Sequence, residues 1–197
     1  MDIDIQDRPA PLAPAADCQL CPRLAAERQS RPANSRGSLS ARVLIVAMGS
    51  DGHPHDTLLL SVLQRCGRIG TRPDADGGVP LLDTRITQAV RCVPGSGLPE
   101  PSEVNACNGF LAAEFTALTQ LRGVLALGAL AHAAVLQACG IPGTRFRFRH
   151  GTLHTLPDGL ILADCHALSR FRGAAAQPDD TLAATLLALL NRLDAPE

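Results

Sequence analysis

The chain contains no tryptophan, no tyrosine and no lysine. Five phenylalanines are the whole of its aromatic surface, so broad stacking platforms for bases or sugars are scarce. All 18 basic residues are arginine, a fixed planar donor suited to phosphate and carboxylate. A formal net charge of −1 leaves no global basic field to draw the protein onto nucleic acid. No run of about 18 apolar residues is present, so no membrane-spanning helix is expected. The segment Met1–Asp7 lacks both a basic n-region and an apolar h-region, which argues against a secretory signal. The expected compartment is therefore the cytoplasm, where thiols stay reduced or bind metal. Seven cysteines is an odd number, which disfavours a disulfide framework.

What is present is ample apolar material, 46% of 197 residues, enough for one domain with a sizeable core. Residues 1–17 are rich in Pro, Ala and Asp and read as a mobile arm, leaving 18–195 as a single domain. Val43-Leu44-Ile45-Val46-Ala47 is an unbroken apolar run closed by glycines, the pattern of a buried parallel strand. Further strands are predicted at 86–90, 123–128, 145–149 and 160–163. Helices are predicted from Asp56 to Gly67, over 103–121 with Ser102 as N-cap, over 129–138, and from Asp179 or Asp180 to Leu193. Strands alternating with helices imply a three-layer α/β/α fold around a mostly parallel sheet. Sites in such sheets lie beyond the carboxyl ends of the strands. Residues 49–51, Gln88, Gly128 and His166 all fall at such ends.

Four cysteines are spaced as ligands. Cys18-Gln19-Leu20-Cys21 is a tight C-x-x-C; Cys92 ends a predicted strand and Cys107 falls in the second turn of the following helix. Two pairs so far apart can be joined only by the fold or by a metal. The pattern suits a Cys-ligated iron–sulfur cluster. It suits a zinc ribbon less well, because the second pair there is usually also C-x-x-C. The bland alternative is a set of small buried hydrophobes, which is the expectation for Cys66, Cys139 and Cys165. Arg145, Arg147 and Arg149 read as the exposed face of a strand, and His53 and His55 as part of a solvated loop.

These residues carry a resemblance along nearly the whole chain. Cys18 to Leu24, the segment Ile86-Thr87-Gln88-Ala89-Val90-Arg91-Cys92-Val93-Pro94 with Glu103 and Cys107, the strand–helix from Gly123 to Ala133, and the run from Phe148-Arg149-His150-Gly151 to His166 are similar to the iron–sulfur uracil-DNA glycosylases, family five (type B). The resemblance implies a 4Fe–4S cluster on Cys18, Cys21, Cys92 and Cys107. It also implies DNA containing deaminated bases as the partner, the target nucleotide being extruded into a pocket; separately, the chain is expected to act as a monomer. His166 would stabilise the departing base, Asp51 would handle water, Gln88 would read the base edge, and Ser169, Arg170 and Arg172 would contact DNA.

The sequence also departs from that family. The first catalytic loop shrinks to Ala47–Asp56, where Asp51 and Asp56 are the acids available and no phenylalanine is left to stack on the base. Gln88 stands where the family has asparagine, and the turn after His166 lacks the family's proline and asparagine. Two functions follow as expectations. One is a DNA-repair glycosylase acting on uracil or a related deaminated base. The other is an iron–sulfur relative that binds nucleic acid or a protein partner without cleaving.

Overall fold

The computed structural model describes residues 14, 17–27, 35–48, 54–72, 78–92, 98–168 and 178–195. In chain order the elements are α1 (Pro22–Glu27), β1 (Val43–Ala47), α2 (Pro54–Arg65), β2 (Thr84–Gln88), α3 (Pro101–Ala117), β3 (Gly123–Leu127), α4 (Ala129–Ala138), β4 (Leu153–Thr155), β5 (Ile161–Cys165) and α5 (Pro178–Asp194). They form a five-stranded sheet of order β2-β1-β3-β5-β4. β1, β2, β3 and β5 run parallel, with Ile45 opposite Ile86 and Leu125 opposite Ala163, and β4 pairs antiparallel with β5 at the edge.

Side-chain alternation along the strands builds two cores. Leu44, Val46, Val124, Ala126 and Leu162 face α1, α3 and α4, where they meet Leu24, Val104, Leu111, Ala131 and Val135. Val43, Ile45, Leu125, Leu127, Ile161 and Ala163 face α2 and α5, packing on Leu59, Val62, Leu63, Leu182, Leu186 and Leu189. Burial on both faces is why β1, β3 and β5 read as unbroken apolar runs rather than alternating ones. The predicted three-layer α/β/α fold is thus the observed one. Among the described residues, no helix is long and apolar enough to cross a membrane.

The boundaries differ in instructive places. Residues 145–149 form no ladder; their in–out alternation is held by side chains, as described below. β4, with only three residues and little apolar character, escaped the periodicity, as did the one-and-a-half turns of α1 after the C-x-x-C. α3 starts at Pro101, with Glu100 rather than Ser102 in the N-cap position and an N-terminal proline whose missing N–H costs nothing there. It ends at Ala117 because Leu118 turns into the core and the N–H groups of Arg122 and Gly123 are drawn to the carbonyl of Arg42. Gly128 has φ +105°, and a Cβ there would lie 3.0 Å from that of Ala167. Only glycine lets the chain after β5 sit so close to the start of α4.

Candidate functional site

The cysteine end is assembled by two ion-pair networks. Arg23, directly after Cys21-Pro22, places its guanidinium on Glu103 with contacts of 2.6 and 2.9 Å. Glu103 Oε2 also accepts the N–H of Glu100 at 2.7 Å, so one carboxylate caps α3 and latches α1 to it. The Arg23 hydrogen bond holds the Glu103 carboxyl below the usual carboxylate range. Behind it, Glu114 is wholly buried. It receives Arg91 at 2.7 Å, Thr87 Oγ1 at 2.6 Å and the guanidinium of Arg85, while Arg91 also donates to Ser35 at 2.8 Å and Arg85 to the carbonyl of Gly37. Burial works against the Glu114 charge, but hydrogen bonds from Ser35 and Thr87 and the charge of Arg91 prevail and lower its pKa. Arg91 therefore has its whole head group committed to the interior, and its backbone N–H points at Cys107 Sγ, 3.4 Å away.

The outcome is that Cys18, Cys21, Cys92 and Cys107 line a single small pocket, walled by Leu20, Leu24, Val90 and Phe110. The thiols feel one another. Burial first, then the charges of Cys107, Glu103, Cys92 and Cys18, push Cys21 up to about 11. Such a donor set is costly to ionise by itself and becomes favourable once a polyvalent cation binds. The four sulfurs do not meet the 4.8 Å mutual spacing that the described residues reach elsewhere. Of the other thiols, Cys165 is fully buried and Cys66 and Cys139 are partly so. Burial lifts Cys139 and Cys165 to about 11, as inert core thiols require.

The histidine end lies beyond β5. His166 follows the last residue of that strand and stacks on His150, ring centroids 4.1 Å apart and planes within 15°. The backbone N–H of His166 donates to His150 Nδ1 at 3.2 Å. That bond assigns the neutral His150 ring a proton on Nε2. Gln88 ends β2 at the same edge, opposite Ala47, with β1 and β3 between it and β5. Three inter-strand steps separate the two ends, ~14 Å of sheet. Asp51, Ser169, Arg170 and Arg172 lie outside the described residues, as do His53 and the side chains of Asp56 and His55.

Sequence reading missed a third cluster. Asp164, fully buried in β5, accepts His132 Nδ1 at 2.7 Å, His154 Nε2 at 3.0 Å and the backbone N–H of Arg149 at 3.0 Å. The other nitrogen of His132 faces the carbonyl of Phe146 at 3.1 Å. A carbonyl can only accept, so Nε2 carries a proton; with the Asp164 carboxylate ionised, Nδ1 donates a second proton to it and the ring carries a positive charge. Burial opposes that charge, yet the hydrogen bonds to Asp164 and Phe146 and the carboxylate's charge raise the His132 pKa. The three groups bring ligating atoms within 4.8 Å of one another. Contacts of 2.7 and 3.0 Å are nonetheless hydrogen-bond lengths, tighter than the ~3.3 Å between ligands on one zinc ion. The signal available in the sequence was an aspartate inside the apolar run Leu160-Ile161-Leu162-Ala163-Asp164-Cys165, since a carboxylate there must be answered by buried donors.

Known proteins of similar sequence carry one name. A type-5 uracil-DNA glycosylase of Thermus thermophilus is 28% identical over 193 residues, covering 83% of this chain and 88% of that protein. The chain is a relative of the type-5 uracil-DNA glycosylases. Those of Mycobacterium tuberculosis and Pyrobaculum aerophilum are each 29% identical, over 181 and 179 residues; both alignments cover 76% of this chain, and 68% and 77% of the respective relatives. No protein-family model matches the chain. The type-5 likeness and the mostly parallel sheet agree with the expectations drawn from the motifs.

Proposed function

We propose that the protein is a DNA-repair glycosylase that hydrolyses the N-glycosidic bond of uracil, or a related deaminated base, in DNA. The observation that carries this reading is the likeness to type-5 uracil-DNA glycosylases over three-quarters of the chain or more. It is supported by the place of His166, stacked on His150 just beyond the carboxyl end of β5, where parallel α/β folds keep their sites. Breaking the bond leaves electrons on the base, and an imidazole N–H aimed at the base oxygen stabilises that developing anion. Asp51 is the acid proposed to handle the attacking water, Gln88 the group reading the base edge, and Ser169, Arg170 and Arg172 the DNA contacts.

The cysteine pocket suits an iron–sulfur cluster by donor chemistry, and Cys18, Cys21, Cys92 and Cys107 are its proposed ligands. When bound, the cluster supplies a rigid, charge-neutralising joint between the N-terminal segment and the β2–α3 loop. The bond-breaking chemistry belongs to the protein's own side chains.

Incubating the protein with uracil-containing single- and double-stranded oligonucleotides tests the activity. Abasic product is expected, with His166→Ala reducing kcat about 10²–10³-fold, as loss of an oxyanion donor does elsewhere. No product at large enzyme excess removes the catalytic claim. The short stretch between Ala47 and α2, which begins at Pro54, and Gln88 in place of asparagine favour one rival, an iron–sulfur relative that binds DNA without cleaving it. Tight binding unaccompanied by cleavage, and unchanged in His166→Ala, would establish that rival.

A further inference from the structure

The segment Arg145-Phe146-Arg147-Phe148-Arg149-His150 has the alternation of a strand but joins no ladder. Arg145, Arg147 and Arg149 are exposed, while Phe146, Phe148 and His150 are half-buried. No described acid forms an ion pair with any of the three arginines, in contrast to Arg23, Arg42, Arg65, Arg68, Arg85 and Arg91, which all have one. Three exposed arginines with no acid partner among the described residues thus lie on one short loop of a protein whose net charge is −1, the guanidinium of Arg145 sitting over the Phe146 ring at 5.7 Å.

The inner side of that loop explains its order. The Phe146 carbonyl accepts from His132 Nε2, and the Arg149 N–H donates to Asp164. The Phe146 ring meets His154 edge-on at 5.5 Å, and Phe148 meets His132 at 5.8 Å. Arg145 N–H returns to Pro142, Thr152 N–H to Arg149, and Gly151 N–H to Asp164. Two aromatic plugs and a buried ion pair thus replace a sheet ladder and fix which residues point outward. A fully buried His–Asp pair is weak evidence of net stability; here its visible effect is to hold the arginines on one side. The loop then delivers His150 directly onto His166.

We propose that Arg145, Arg147 and Arg149 form a phosphate-binding edge that lays the backbone of a DNA strand beside the His150–His166 pair. Arginine's fixed fork suits phosphate, and contacts of this kind set register and orientation without reading sequence. This inference rests on DNA being the partner, as proposed above, but not on the protein cleaving it.

The test is DNA affinity, by fluorescence anisotropy, on uracil-free single- and double-stranded oligonucleotides between about 50 and 200 mM salt. The full chain is compared with an Arg145→Gln/Arg147→Gln/Arg149→Gln variant and with an Arg72→Gln/Arg192→Gln control, which removes exposed charge elsewhere. Each lost phosphate contact lowers the slope of log K against log salt by about 0.9 on duplex and 0.7 on single strands. A slope reduced by about 2 or more in the triple variant alone, with weaker binding at low salt, supports the edge. An unchanged slope in the triple variant, or an equal change in the control, overturns it. Cleavage is scored separately on uracil-containing DNA. A protein that never cleaves yet shows the triple-variant slope defect refutes the glycosylase reading and keeps the edge; one that cleaves normally with no slope defect does the reverse.

Discussion

The two ends of this molecule solve the problem of buried polar groups in opposite ways. Around Asp164, every donor meets an acceptor within the protein: His132, His154 and the Arg149 N–H converge on one carboxylate, and Phe146 takes the remaining proton. Around the cysteines, the arginines and glutamates are satisfied, but the four thiols they bring together line one pocket, where burial first and then the neighbouring charges raise Cys21. The first cluster is complete as folded. The second is a small pocket lined by four thiols, the proposed seat of the iron–sulfur cluster. Burial depth does not separate the two, since Glu114 and Asp164 are equally enclosed; the chemistry of the groups at the centre does.

The sharpest way to break this contrast is at the thiol pocket. Cys107→Ser should remove most of the bound iron and the visible absorbance near about 400 nm while leaving the Asp164 cluster intact. Metal analysis and absorption spectroscopy read the first effect, and the chemical shifts of the His132 ring protons read the second. If iron content is unchanged, the four-thiol assignment is wrong.

Next in size is Glu114→Ala, which strands Arg91 and Arg85 without their buried partner. The expected cost is about 3–5 kcal/mol, measured by urea denaturation. A loss below about 1 kcal/mol would mean that water or a rearranged partner satisfies those arginines.

Acidity offers a finer discrimination. His132 has its pKa raised in the folded state, so its stabilising contribution is complete below the unfolded value of about 6.5 and is lost as pH rises through the folded value. The melting-temperature gap between the parent and His132→Gln should therefore shrink as pH rises. A gap that widens toward alkaline pH would show that His132 is neutral in the native protein. Glu114 has the opposite sense: its lowered pKa gives stability above about 4.3 that is lost on acidification.

The smallest effect is expected at the α1–α3 latch. Arg23 keeps a third of its side chain in solvent, so Arg23→Ala should cost only about 1 kcal/mol in global stability. Its effect should instead appear as faster loss of iron to a chelator, because the latch carries the first cysteine pair. Equal chelation rates in both proteins would separate the latch from the thiol pocket.

Much of this was readable beforehand, and the reasons are physical. Unbroken apolar runs at 43–47, 123–127 and 160–163 belong to strands covered on both faces, and burial of that kind leaves its signature in composition. The helix at 129–138 was delimited by glycines at both ends. By contrast, 145–149 carried a genuine period of two that the fold uses without a ladder, because two phenylalanines and a buried ion pair anchor it. β4 was too short and too polar to register, and α1 was too short for periodicity to reveal.

By itself, the order of residues determined the layered α/β architecture and the position of His166 at a strand end, and it singled out four cysteines by their spacing, since each depends on local pattern. Tertiary structure alone decided which ions meet. Arg23 lies 80 residues from Glu103, and His132 lies 32 from Asp164. Such pairings depend on where helices dock on the sheet, and no short-range periodicity encodes that. It is also why the arginines of 145–149, unremarkable as a pattern, became an oriented surface only once the buried histidine–aspartate pair beneath them was seen.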